Sequence, residues 1–318
     1  MNNNLPEYQH YLSNVVSQPP CKMINANMYG FFVKGEISKI QAYVDSTINK
    51  VEMEGVRFKA LSSYLMLSFT DIEKMFSTNP AFSNQGWSQE TDIIIWIPIA
   101  KMVNNKVDHV YFYPAYIVVN NLYALLNGTL IWGFNKYFSN TYEMPAIGEV
   151  PEKFSLTIDA FKAFAPDATI APHTILELAL TKKGESRKVA GFGEILKEAI
   201  TLLQSSTESV LDFDWNAVKQ SLSQLISPQI DQLLFKQYPD GKAEKALYQA
   251  LIHSPSKVDK VHSATIYTHD YQFSIQHLAS FPLDQMFGIS LQPQKPLLPF
   301  NVLFDFSQDA AIEIAKNN

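Results

Sequence analysis

Apolar positions change period several times along the chain, and each change marks a predicted element. Met28 to Val33 is a compact apolar strand closed by Gly35. Over Glu36 to Ile48 the spacing becomes helical, with Ile37, Ile40, Val44 and Ile48 on one inward face. Val56 to Ala60 and Ser63 to Phe69 have the pattern of strands, and an Asn- and Ser-rich loop over Ser77 to Ser88 separates them from the next one. Asp92 to Pro98 is continuously apolar, as in a strand buried on both faces, and its proline places it at an edge, an end or a bulge. Val110 to Val119 is a second such strand, broken by Asn120-Asn121. A brief helix over Tyr123 to Leu126 then ends at Gly128, where helices favour a left-handed residue.

Phe154, Leu156 and Ile158 alternate with polar residues, and Thr174 to Thr181 has strand character. Between Lys183 and Tyr238 the pattern turns helical. Ile195, Ala199, Leu202 and Leu203 mark one amphipathic helix; Val218, Leu222 and Leu225 mark another, interrupted or ended by Ser227-Pro228. Tyr271, Phe273 and Ile275 then alternate with polar residues after a hairpin turn at His269-Asp270, and Phe300 to Phe306 forms a late strand. Met1 to Pro20 is an irregular arm.

The chain has 318 residues, 47% hydrophobic and 13% aromatic, enough for one large β-rich core. A net charge of −6 and only two arginines, Arg57 and Arg187, argue against nucleic-acid binding. The single cysteine, Cys21, excludes an internal disulfide and suits the cytoplasm. The first residues lack the basic and apolar regions of a secretory signal, and no apolar run is long enough to span a bilayer, so no membrane partner is expected. None of the seven histidines lies three or four residues from another, and no phosphate-binding loop, nucleophile elbow or complete dinucleotide fingerprint occurs. Neither a metal nor a cofactor is expected.

One residue carries chemistry. Lys136 is the sole charged residue between Asn120 and Asn140, a stretch that also holds Leu130, Ile131, Trp132, Phe134, Tyr137 and Phe138. An amine held in apolar surroundings is costly to ionise and can become a free-base nucleophile able to form a Schiff base. The alternative is a lysine that lays its stem on the core and keeps its ammonium in water.

Asn121, Gly128 and the run Gly133-Phe134-Asn135-Lys136 resemble the active-site stretch of the acetoacetate decarboxylase family, in which an Asn, a Gly-Arg-Glu triplet and a Pro-Lys pair follow at this spacing. The resemblance puts Lys136 on the Schiff-base lysine of that family, a standard example of an activated amine. Thr129 and Leu130 replace the Arg-Glu, Asn135 replaces the proline, and Tyr137 stands where a second lysine would be. It also implies an acid before Pro98: Asp92, with Glu90 as the neighbouring candidate, either of which could exchange a proton with an enamine carbon or be a strand-end surface charge. Arg57 is the one arginine available in the β-rich half to hold a substrate carboxylate. Trp132, Phe134 and Tyr137 complete the expected substrate-binding set.

The fold that the resemblance implies is α+β, a curved antiparallel sheet closing toward a barrel in one domain over residues 1–318. A helical insertion over 183–238 would cover one mouth of the core or make a subunit contact in a homo-oligomer. The expected activity is that of a lysine-dependent lyase on a small keto acid, of the decarboxylase or the aldolase and dehydratase type. The rivals are a non-catalytic protein that binds a hydrophobic small molecule in the same cavity, and a scaffold acting through the helical segment.

Overall fold

The structure, a computed structural model, describes residues 6–10, 18–205, 214–225 and 229–317. Residues 1–5 and 11–17 of the expected arm lie outside these, as does the expected break at Ser227-Pro228. In chain order β1 (Cys21–Lys34) leads into α1 (Ile37–Ser46), then β2 (Val56–Ala60), β3 (Tyr64–Ser77), β4 (Ser88–Val103) and β5 (Lys106–Val119). After α2 (Leu122–Asn127) and a wide helical turn over Gly128–Trp132 come β6 (Lys136–Phe138), β7 (Thr141–Glu143), β8 (Lys153–Ala160), β9 (Ala171–Lys182) and β10 (Ser186–Lys188). The chain continues through α3 (Phe192–Ser205), α4 (Trp215–Leu225), β11 (Gln229–Pro239), β12 (Ala246–Tyr267) and β13 (Asp270–Ile275). It ends with α5 (Leu283–Met286), β14 (Leu297–Gln308) and β15 (Ile312–Lys316).

Strand pairing runs β4-β3-β1-β14-β12-β11-β5 and returns to β4, so the large sheet curls into a ring, the curved and closing sheet that the resemblance implies. Every contact around it is antiparallel except β5 with β11, a parallel junction that rests on a single paired position, Gln232 with Phe112. Side-chain alternation then separates two environments. Tyr29, Phe31 and Val33 of β1 and Ile93, Ile95 and Ile97 of β4 pack outward against Phe154 and Leu156 of a second sheet, ordered β13-β9-β8-β7. Met28 and Phe32 of β1, and Ile94 of β4, point the other way into the ring. This double burial is why Asp92 to Pro98 carries no polar interruption.

Pro98 sits where β4 changes partner. Its pairing with β3 ends at Trp96 and its pairing with β2 begins at Ile99, so the missing N–H interrupts neither ladder on that edge.

Two sequence expectations are corrected. His269-Asp270 is not a hairpin turn, because β12 belongs to the ring and β13 pairs β9 of the second sheet; the link carries the chain between sheets. The segment 183–238 is not helical throughout. It holds β10 and most of β11, and β11 is a member of the ring, so the helical part is confined to α3 and α4. Those helices pack inside. Ile195, Ala199 and Leu203 of α3 join Ala264, Phe300 and Phe304, while Val218 of α4 meets Leu61, Ala100 and Val110, and the Val110 amide donates to Ser221 Oγ at 2.8 Å. They cover part of the ring interior. No helix among the described residues is long and apolar enough to cross a membrane.

Candidate active site

The chain leaves β5 at Val119 and is turned by Asn121, whose Oδ1 accepts from the Tyr123 and Ala124 amides to cap α2. Its Nδ2 donates to the Gln89 carbonyl at 2.6 Å, tying this turn to β4 one residue before Glu90. The left-handed residue expected at Gly128 lies five residues later. Gly128 is right-handed (φ −58°, ψ −46°), the helix widens by one more turn, and Gly133 closes it at φ 84°. Gly128 is required for space rather than for conformation: a Cβ there would stand 2.7 Å from Lys136 Cε and 2.9 Å from its Cδ. The carbonyls left free at the end of the wide turn accept from Lys236 Nζ, at 2.7 Å from Leu130 and 2.8 Å from Ile131. Burial lowers the Lys236 pKa.

β6 then runs parallel to β5, setting Lys136 beside Ile117, which itself opposes Ile94. Glu90, Asp92 and Ile94 alternate onto the same inward face of β4, so the register brings the lysine and both carboxyls together. Lys136 Nζ donates to Glu90 Oε1 at 2.8 Å, with the two side chains only 11% and 4% exposed. The amine is therefore dry, as its apolar neighbours in sequence suggest, but it is not unaccompanied: its counter-charge comes from a strand 46 residues earlier.

Asp92 is buried beside this pair. Burial, and then the Glu90 carboxylate, push its pKa up to about 7, against the opposing pull of the Lys136 ammonium and the Thr70 hydroxyl. Its Oδ1 has no hydrogen-bond partner among the described residues. The low-polarity site and the neighbouring carboxylate thus favour the protonated form of Asp92.

These three side chains border a cavity of about 410 Å³ inside the ring, a size suited to a small organic molecule. Trp132 and Phe134 line it; the Lys136 ammonium lies 5.6 Å from the Phe134 ring centre, and Trp132 Nε1 is fixed on the Asp309 carbonyl at 2.8 Å. Cys21 also lines it, its thiol pushed up to about 11 by burial and then by Glu90, and stays protonated. Two expected residues are elsewhere. Arg57 is largely exposed on β2 and ion-paired with Asp45 at 3.0 Å, away from the cavity. Tyr137, one residue along β6 from Lys136, alternates to the outer face and packs on Tyr116 and Phe281. Among the described lining residues Lys136 is the sole lysine or arginine. Gln232, Ser256 and Gln308, which the hydrophobic pattern did not single out, line the cavity as well. No grouping of three or more His, Cys, Asp or Glu suited to a metal occurs among the described residues.

No protein-family model matches the sequence. No curated protein matches it either. Solved structures do. The fold superposes on an acetoacetate decarboxylase from Legionella pneumophila with a TM-score of 0.60 at 11% identity, over 99% of this chain and 94% of that one. An acetoacetate decarboxylase-like enzyme from Sphingomonas wittichii RW1 matches at 0.54 and 12% identity, over 95% of each chain. The enduracididine biosynthesis enzyme MppR in complex with pyruvate matches at 0.54 and 10% identity, over 96% of this chain and 93% of that one. The ring of strands backed by its second sheet is the acetoacetate decarboxylase-like fold.

Proposed function

We propose that the protein is a lysine-dependent lyase whose Lys136 condenses with the carbonyl of a small ketone or aldehyde. The observation that carries this is the Lys136–Glu90 contact of 2.8 Å in the wall of the cavity, with the buried Asp92 carboxyl beside it. Glu90 takes the ammonium proton as the amine attacks the carbonyl carbon. The carbinolamine hydroxyl leaves as water when a carboxyl returns a proton to it, and a protonated imine remains. Loss of the α-proton to Asp92 gives an enamine, which can attack an aldehyde or expel a β-hydroxyl group.

Aldol or dehydration chemistry suits this cavity better than decarboxylation. A carboxylate substrate would meet two carboxyl groups and, among the described lining residues, no cation other than the amine itself, so its entry is opposed electrostatically. The structural likeness to MppR, solved with pyruvate bound, and to acetoacetate decarboxylase supports a carbonyl substrate.

The test is borohydride reduction in the presence of pyruvate, acetoacetate or acetylacetone, followed by intact mass. A mass increase in the wild type that vanishes in Lys136→Ala is the expected result. Absence of an adduct with any carbonyl favours the second reading, a binder of apolar small molecules. That rival is supported by the same ion pair, which holds the amine on Glu90.

A further inference from the structure

A second polar group faces the cavity, away from the lysine. Gln232 of β11, Ser254 and Ser256 of β12 and Gln308 of β14 occupy inward positions on three adjacent strands, all at 6% exposure or less. Their neighbours on that face are apolar, among them Ile230, Val258, Phe304 and Phe306. Four uncharged polar side chains buried together in such a wall are costly unless they are hydrogen-bonded to one another or to something else. Three of the links are internal. Gln232 Nε2 donates to Ser256 Oγ at 2.6 Å, Ser256 Oγ donates to Gln308 Oε1 at 2.5 Å, and Gln308 Nε2 donates to Ser254 Oγ. The relay ends at Gln232 Oε1, which is buried and has no partner among the described residues.

The register shows how far this end lies from the amine. Lys136 pairs with Ile117 of β5 and Gln232 with Phe112 of the same strand; a bulge at Ala115 leaves these opposite Ile94 and Pro98 of β4, four ladder steps or roughly 13 Å apart before the two side chains reach inward. One cavity therefore has a charged pole at Lys136, Glu90 and Asp92, a neutral pole at Gln232, and an apolar wall between them.

We propose that Gln232, held by Ser256 and Gln308, recognises a neutral hydrogen-bonding group, a hydroxyl or a carboxamide, at the far end of the molecule whose carbonyl meets Lys136. A single unsatisfied buried acceptor is the signature of a site built for a donor. The relay also reverses as a unit: if both amides turn over, Ser254 donates to Gln308, Gln308 to Ser256 and Ser256 to Gln232, which then offers an N–H instead. Either state suits an uncharged polar tail. A carboxylate tail has no cation to meet it at this pole among the described residues. The proposal rests on the carbonyl-condensing function above for the orientation of the ligand but not for the existence of the polar pole.

The test measures equilibrium affinity for ω-hydroxy-2-alkanones of increasing length, each beside the 2-alkanone in which a methyl group replaces the hydroxyl. Fluorescence of Trp96 and Trp132, both in the cavity wall, is the readout. At the optimal length the hydroxyl compound should bind about fivefold tighter than its methyl counterpart, the factor expected for one well-made hydrogen bond. Gln232→Met should abolish that preference, so that in this variant the hydroxyl and methyl compounds bind equally at every length. Ser256→Ala, which cuts the relay behind the amide, should reduce it and stands in if Gln232→Met does not fold. Lys136→Met should keep the preference while losing the borohydride adduct, so failure of the imine chemistry and failure of the polar pole are separable. Equal affinity for hydroxyl and methyl compounds at every length, or a preference that survives both substitutions in the relay, would overturn the proposal.

Discussion

Replacing Gly128 with alanine separates fold from geometry at the lysine. The backbone at Gly128 is right-handed helical, a conformation alanine adopts at no cost and prefers by about 1 kcal/mol. The added methyl, however, would stand 2.7, 2.9 and 3.1 Å from Lys136 Cε, Cδ and Nζ. Ordinary carbon contacts lie near 3.5 to 4.0 Å, so the lysine tip must move by about 1 Å. Because the tip is the flexible end of a long side chain, it can move without disturbing β6 or α2. The stretched ion pair forfeits part of its roughly 3 kcal/mol, offset by about 1 kcal/mol of helix preference, so the melting temperature should fall by only about 2 to 4 °C. The amine, by contrast, leaves its 2.8 Å contact with Glu90, and a displacement of about 1 Å at a reacting group costs on the order of 100-fold in rate. The assay is the initial rate of borohydride trapping with acetylacetone, alongside thermal melting followed by circular dichroism. A Gly128→Ala protein that melts within this range and traps at the wild-type rate would refute the placement of Lys136 across this glycine.

Glu90→Gln leaves the nearly buried Lys136 without its counter-charge and should cost about 3 kcal/mol in urea unfolding, with Lys136→Met in the same chain recovering much of it; additivity of the two within about 0.5 kcal/mol would count against the pair. Asp92 has its pKa raised from 3.8 to about 7 in the fold, so the native state binds the extra proton and stability falls as pH rises through that window, flattening above it. Asp92→Asn should remove this decline, as read from urea melts at pH 5 and pH 8, and an unchanged slope would contradict it. Arg57→Ala should leave carbonyl trapping untouched and cost less than about 1 kcal/mol, since its partner Asp45 is on the surface; a large loss of trapping would restore Arg57 to the site.

The strands and the candidate lysine were legible because they depend on local period and spacing. Ile93 to Ile97 announces burial on both faces by itself, and the step of two from Glu90 to Asp92 puts both on one face of whatever strand they occupy. The same rule excludes Tyr137, adjacent in a strand to Lys136 and therefore on the opposite face. The features that escaped the sequence depend on register between distant segments. Arg57 lies on β2, which pairs only with the far end of β4, beyond Pro98, so no sequence spacing could show that it misses the cavity. The Glu90 partner of Lys136 is hidden for the same reason. The left-handed glycine was misplaced because the wide turn after α2 moves the cap from Gly128 to Gly133. Gln232, Ser256 and Gln308 are unremarkable one at a time and become a group only when β11, β12 and β14 are set side by side.

If a single amine, inside the ring and held by Glu90, meets the carbonyl, peptide mapping of the protein after borohydride trapping at sub-saturating acetylacetone will locate it. The adduct should fall on the peptide that contains Lys136, with Lys236 and the surface lysines unmodified, and should be lost in Glu90→Gln more than the thermal stability is. An adduct spread over surface lysines, or none on Lys136 under conditions that modify free lysine, would contradict that assignment.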